Sequence, residues 1–459
     1  MDTSKLPELL LYWMVLMAIL AAVRRRWRMP GVGLTFAYLL NLSLIHLVGA
    51  AIYILPAYQS HDPRLTELGF QQSVYGVAAF LVGGIVITPL VIKKGLLPRA
   101  TGTHRPDSRL PKAYIAVGAV SFFLMSTFVS RVPTASAIVA SGTQLVLAGF
   151  ALCCWQAWRD RDVRRLVFWL VMALSMPLMT LLTHGFLSYG ATALLTLLIF
   201  ASTLVQSPWR VSLAGALVVY LGLSVYVSYM RDRDEIRASV WGRESVSDRV
   251  DHLLDTATSI ELFDPAEPLH LQRIDSRLNQ NMLVGATVNQ LSQTDGYARG
   301  ETFWDALLAL VPRALWPEKP IRAGSGDLVT RFTGIDFAEG TSVGIGQVME
   351  FYANFGTAGV VIGFLVMGVL VTALDWQAAE RLARSDMHGF VLWFLPGVAL
   401  LQVGGQLVEL TASAAASLIV ALLVNKYLHR LQTKDSAWVG PPVAPAPPSF
   451  TPATRHVRP

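Results

Sequence analysis

Apolar runs of about twenty residues recur along this chain. They constrain its fold more than any motif does, because a helix of that length crosses a bilayer. The runs fall at about 6–23, 33–56, 74–92, 113–130, 134–155, 166–183, 188–206, 211–229, 355–375, 389–403 and 407–427. This repetition predicts an all-α, polytopic membrane bundle of about eleven spans. Composition agrees, with 53% of residues hydrophobic and 15% charged. The formal charge of +6 is therefore no sign of nucleic-acid binding. Its Lys and Arg gather on alternate short loops, the bias that orients membrane proteins.

One set of loops carries Arg24, Arg25, Arg26 and Arg28, then Lys93, Lys94, Arg99, Arg105, Arg109 and Lys112. It continues with Arg159, Arg161, Arg164, Arg165, Arg210, Arg381 and Arg384, whereas the short loops of the other set hold Arg64 and Arg131. Positive loops face the cytoplasm, so the long polar interruption at about 230–353 is expected outside it. The chain thus divides into spans over 1–229, an extracytoplasmic loop over 230–353, further spans over 354–430, and a Pro-rich tail over 431–459 that cannot build a core. The first apolar run is followed by its basic cluster, not preceded by it, which predicts a retained span instead of a cleaved signal.

Within the loop, Arg231–Val250 has the spacing of a surface helix, and Ser259–Leu291 reads as helical with Leu271, Ile274, Leu278, Met282 and Val288 on one side. Thr302–Val311 is a short apolar run expected to dip into the membrane or pack on the bundle. Arg322–Ile345, rich in Gly, Thr and Asp, reads as a loop. Adjacent Cys153 and Cys154 sit in an apolar run and read as core residues. No HxxxH or CxxC spacing suggests a metal, so no metal or cofactor is expected.

The polar residues of the loop carry the candidate chemistry. Arg273, Arg277, Arg299, Arg313, Arg322 and Arg331, with Lys319, could bind phosphate in the two-point manner of guanidinium groups, or could be merely solvated. Arg313 and Lys319 stand out because Pro312, Pro317 and Pro320 fix them around Trp316 in VPRALWPEKP. Trp316 and Tyr352 suit sugar stacking, or equally an interfacial aromatic belt. Glu350 opens the segment Glu350-Phe-Tyr-Ala-Asn-Phe-Gly356 where the chain re-enters the membrane, and a partly desolvated carboxylate there could act as a general base. Asn354 could help Tyr352 orient a sugar hydroxyl. His184 and Asp327 are the next candidates for the base.

Taken together, "PR-x-x-W-P-x-K-P … E-x-Y-x-N-F-G" resembles the bacterial repeat-unit polymerases of O-antigen and exopolysaccharide assembly (Wzy-type). The motif covers about fifty residues, and the multi-span layout covers most of the rest. The resemblance implies a metal-independent glycosyltransferase of the bacterial inner membrane. It would act on undecaprenyl-diphosphate-linked oligosaccharides at the periplasmic face, moving the growing chain onto the incoming unit. A flippase and a chain-length regulator are the protein partners implied. Carried onto this chain, Arg313 and Glu350 become the catalytic candidates. Arg273, Arg277, Trp316, Lys319, Arg322, Arg331, Tyr352 and Asn354 become substrate-binding candidates. Arg313 and Gly324 also have the Arg-to-Gly spacing found in some members' periplasmic loops. The related O-antigen ligases offer an alternative, since His270-Leu-Gln272 begins their pattern, but Met282 stands where its first glycine belongs. A polysaccharide or lipid transporter is the third reading, disfavoured by the scarcity of ionisable residues in the spans, where His46 and Glu409 are the main ones.

Overall fold

The computed structural model describes residues 4–58, 63–125, 139–205, 207–242, 246–311, 316, 318–319, 324–337 and 343–437. The described residues are helical or irregular and include no strand. Among the described residues, eight helices are long and apolar enough to cross a membrane: Leu6–Arg26, Leu34–Ile52, Pro63–Lys93, Val139–Arg159, Val163–Thr183, Trp209–Trp241, Gln347–Ala383 and Leu407–Arg430. Three shorter apolar helices, Leu110–Leu124, Ser188–Leu204 and Met387–Ala399, take up the remaining apolar runs. The Pro-rich tail beyond residue 437 lies outside the described residues. Cys153 and Cys154 are buried and unbridged, as core residues should be.

Three expectations for the polar segment need correction. The charged stretch after Tyr229 does not start a separate surface helix. The spanning helix runs on without interruption from Pro208 to Trp241, because no Pro or Gly stands between Tyr229 and Gly242 to stop it. A further helix, Val246–Thr258, follows. Residues 259–291 form two helices, Pro268–Leu278 and Asn281–Thr294, instead of one. Asn279 ends the first: its Nδ2 donates to Asp275 Oδ1 at 2.7 Å and to Thr66 Oγ1 at 3.1 Å. The redirected chain leaves Leu271 and Ile274 buried while Met282 turns outward. Finally, the Gly-rich segment contains a helix, Ser325–Thr333, that buries Leu328, Val329 and Phe332. The Asp327 carboxylate caps its start by accepting from Gly324 N at 3.0 Å.

Contrary to its polar appearance in the sequence, this segment is built into the bundle. The Asn281–Thr294 helix packs along the Pro63–Leu81 part of the third long helix. Two glycines make that approach possible. A Cβ at Gly69 would lie 1.9 Å from Asn281 O, and one at Gly285 would lie 1.9 Å from Leu65 O. Two helices can meet backbone to backbone in this way only where side chains vanish. The short Glu301–Ala309 helix packs on the Leu407 helix, with Thr411 Oγ1 donating to Ala306 O at 2.8 Å. The expectation that this apolar run packs on the bundle therefore holds.

Helix Gln347–Ala383 is itself two pieces. Phe355 (φ −143°, ψ 27°) and Gly356 (φ 61°, ψ −149°) break it, and the Gly356 conformation is open essentially to glycine alone. A short helical stretch carrying Gln347, Glu350 and Asn354 thus precedes the long apolar helix. At the far end of that long helix, the buried Asp375 carboxylate pairs with Arg24 at 2.9 Å and accepts from Val32 N and Leu34 N at 2.7 and 3.1 Å. It ties the first, second and ninth apolar segments together.

Candidate functional site

Several chain breaks meet inside the bundle. The Leu34–Ile52 helix is interrupted at His46, and Gln280 N donates to the Ile45 carbonyl exposed there at 3.0 Å. His46 Nδ1 lies 2.7 Å from Asn281 Oδ1 and 3.0 Å from Ser73 Oγ, while Asn281 Nδ2 donates to His46 O at 2.7 Å. The turn between Ala399 and Leu407 then pairs with the start of the Gln347 helix. Gly346 N donates to Gly404 O at 3.1 Å, and Gln347 N to Val403 O at 3.0 Å. Irregular backbone survives within a membrane protein only where such internal bonds replace water. His46, Ser73, Asn281, Gln347 and Glu350 are all buried at this junction.

Glu350 is one of the buried side chains whose polar atoms are not all satisfied. Its side chain is 0% exposed. Oε2 accepts from Leu407 N at 2.8 Å, at the N-terminal end of the last helix, where the helix dipole favours a negative charge. Oε1 has no hydrogen-bond partner among the described residues. Thr302 stands alongside the carboxyl as a further hydrogen-bonding group, its hydroxyl oxygen accepting from Asn354 Nδ2 at 2.7 Å and its proton free to turn toward Glu350. Asp305 and Glu409 add negative charge nearby. Leaving a buried polar atom unpaired costs roughly 1–3 kcal/mol, more for a charged group, so the site stores a demand for a proton or a donor.

Asn354 is a fully engaged support. Its Oδ1 accepts from Gly300 N at 2.9 Å, and its Nδ2 donates to Thr302 Oγ1 and to Glu350 O at 2.8 Å. The backbone beside it takes Ala298 N at 2.8 Å and Arg299 N at 3.2 Å. Asn354 thereby clips the 298–302 segment against the helix that carries Glu350. Tyr352 is 7% exposed and faces Tyr297, with ring centroids 6.3 Å apart. Trp316 is 37% exposed. Lys319 Nζ donates to Val311 O at 3.1 Å. Arg313 and Arg322 lie outside the described residues, as does the His184 side chain. Asp327 serves as a helix cap.

The remaining arginines gather elsewhere. Arg273 and Arg277 belong to the Pro268–Leu278 helix, which packs on the Leu47–Ile52 and Pro208–Trp241 helices and not on the Glu350 segment. There Glu261 accepts from Arg231 Nη1 at 2.7 Å and from Arg273 Nη1 at 3.1 Å, with His270 Nε2 at 3.2 Å. Asp264 N donates to His270 Nδ1 at 3.1 Å, so the ring proton sits on Nε2, toward Glu261. The Arg231 hydrogen bond, aided by His270 and Arg273, holds the Glu261 carboxyl below its ordinary value of 4.5. Open depressions of about 260 and 430 Å³ flank this network and not Glu350. Arg277 lies close to Tyr226 and Tyr229 of the neighbouring helix. Arg331 pairs with Glu301 at 2.9 Å and lies over the Phe332 ring. Arg299 pairs with Asp295 at 3.2 Å.

Sequence reasoning passed over Gln347, Tyr38, Asn281 and Ser73. Tyr38 and Ser73 lie in or beside apolar runs, where a polar side chain facing protein must find a partner, and that was the available signal. Gln347 offered none, being one polar residue among many.

A family model described as a domain of unknown function, DUF8712, matches residues 70–433. The chain belongs to that family. The matched region includes Gln347, Glu350, Asn354 and Leu407, together with the entire 230–353 segment, while Tyr38 and His46 precede it. No curated protein and no solved structure matches the chain.

Proposed function

We propose that this protein is an inner-membrane polymerase of undecaprenyl-diphosphate-linked oligosaccharide units, with about eleven spans and its 230–353 segment facing the periplasm. The observation that carries the reading is Glu350, a buried carboxylate with one oxygen held by Leu407 N–H and the other unpaired. In this reading Oε1 takes the proton of an acceptor sugar hydroxyl as that oxygen bonds to the anomeric carbon of the growing chain. The bond from that carbon to the lipid diphosphate breaks, and its electron pair leaves with the diphosphate. Arg313 and Arg322, which in sequence fall between the Glu301–Ala309 and Ser325–Thr333 helices, would stabilise the charge growing on the leaving group. Trp316, which is partly exposed, would stack on a sugar.

Reconstitution with a defined lipid-linked repeat unit tests the reading, because only a polymerase converts a single unit into a ladder of products. The orientation is tested by single cysteines in intact cells. Gln293→Cys should react with an impermeant thiol reagent and Lys94→Cys should not, and the reverse pattern would overturn the topology.

One observation favours a second reading as transporter. Interrupted helices meeting at buried polar side chains are a feature of transport sites, and the His46, Gln280 and Val403–Gly404 junction is of that kind. Movement of labelled lipid-linked unit across a vesicle membrane without ladder formation would support it.

A further inference from the structure

Gln347 lies one helical turn before Glu350, on the short stretch preceding the Phe355–Gly356 kink, so their side chains are neighbours on one helix surface. Both are 0% exposed. The Tyr38 hydroxyl donates to Gln347 Oε1, which fixes the amide orientation and turns Nε2 away from Tyr38. Tyr38 is itself held rigidly, stacked on Phe80 with centroids 4.7 Å apart. Nε2 has no hydrogen-bond acceptor among the described residues, just as Glu350 Oε1 has no donor. An unused donor and an unused acceptor thus stand one turn apart, both buried.

We propose that Gln347 and Glu350 together bind a single hydroxyl group, whose oxygen accepts from Gln347 Nε2–H and whose proton is donated to Glu350 Oε1. The chemistry of the pair selects this guest. An ammonium group has no lone pair for the amide, a carboxylate would be repelled by Glu350, and a metal cation would face the positive end of the N–H dipole. The inference rests on the polymerase reading for the identity of the guest, which is there the acceptor sugar hydroxyl. Gln347 then gains a second task. As Glu350 removes the proton, negative charge grows on the hydroxyl oxygen, and the Nε2–H bond already points at it. The oxygen's lone pair forms the new bond to the anomeric carbon, the proton remains on Glu350, and the diphosphate departs with the old bonding pair.

Gln347→Met, Glu350→Gln and the double variant of the full-length protein provide the test, through ladder formation and thermal unfolding in detergent. Methionine keeps the length of glutamine without its hydrogen bonds. Ladder formation by Gln347→Met should fall about a hundredfold, the usual loss for one removed donor to a growing oxyanion. Wild-type ladder formation by this variant would overturn the proposal. Unfolding midpoints judge the pair independently of the reaction. If one hydroxyl-bearing guest, water in the resting protein, bridges both groups, the two single shifts will not add in the double variant. Additive shifts would overturn the shared slot. Should the wild-type protein make no ladder at all, the polymerase reading falls while the double-variant comparison still decides on the slot.

Discussion

Glu261 and Glu350 stand in opposite circumstances within the same fold. Glu261 is 37% exposed and takes hydrogen bonds from Arg231, Arg273 and His270. Glu350 is wholly buried and takes one, from a backbone amide. Water could have satisfied Glu261 at no cost, yet three side chains converge on it, so its role is to fasten the Pro268–Leu278 helix to the Pro208–Trp241 helix. Glu350 is closed off from the surface, where each missing bond is expensive. A polar group left short in a buried place is maintained against stability, and such shortages concentrate where chemistry is done.

The largest effect that would sharpen this contrast comes from the backbone supporting the buried region. Gly285→Val puts a branched side chain where even a Cβ lies 1.9 Å from Leu65 O. It should prevent accumulation of folded protein, read as loss of the monodisperse peak on size exclusion. Normal yield would mean that the Asn281–Thr294 helix is not wedged against the bundle as described.

Next come the arginines. Arg313→Ala should lose most polymerisation, about a hundredfold, while accumulating normally, and Arg313→Lys should rescue poorly because a point charge cannot replace a two-point fork. Arg273→Ala should keep activity within a few fold, since its guanidinium is committed to Glu261. A hundredfold loss from Arg273→Ala alone would erase the distinction between the fastening network and the reactive region.

The smallest effect is the acid response of the network. Folding holds the Glu261 carboxyl below its ordinary 4.5, so the native state favours the ionised form. The associated stability is present above that ordinary value and is lost as pH falls through the depressed one. Glu261→Gln should lower the unfolding midpoint slightly at neutral pH and flatten its decline below pH 4.5. An unchanged acid limb in this variant would show that Glu261 contributes nothing to holding the two helices.

Much of the bundle was legible because hydropathy is a sum over twenty residues, which no single substitution disturbs. The polar segment was harder to read for a physical reason. Leu271, Ile274, Leu278, Met282 and Val288 fit one helical face, but Asn279 finds Asp275 and Thr66 as partners and breaks that face in two. The insertion of Asn281–Thr294 beside the third long helix depends on Gly69 meeting Asn281, 212 positions on, and on Leu65 meeting Gly285, 220 positions on, contacts no local pattern announces. Glu350 was visible because it stands where a polar segment enters an apolar run. Its partner Gln347 was not, since only the Tyr38 bond reveals which way its amide faces. Arg273 and Arg331 looked free in the sequence because the acids that hold them, Glu261 and Glu301, are distant or unaligned along the chain.

The most direct test sets the two carboxylates against each other in one assay. Wild type, Glu350→Gln and Glu261→Gln are purified, checked for equal folded yield, and given a defined undecaprenyl-diphosphate-linked repeat unit in proteoliposomes. Glu350→Gln should still bind the lipid-linked unit yet form no ladder, a loss of about a hundredfold or more, while Glu261→Gln should form one at nearly the wild-type rate. A normal ladder from Glu350→Gln would contradict the account.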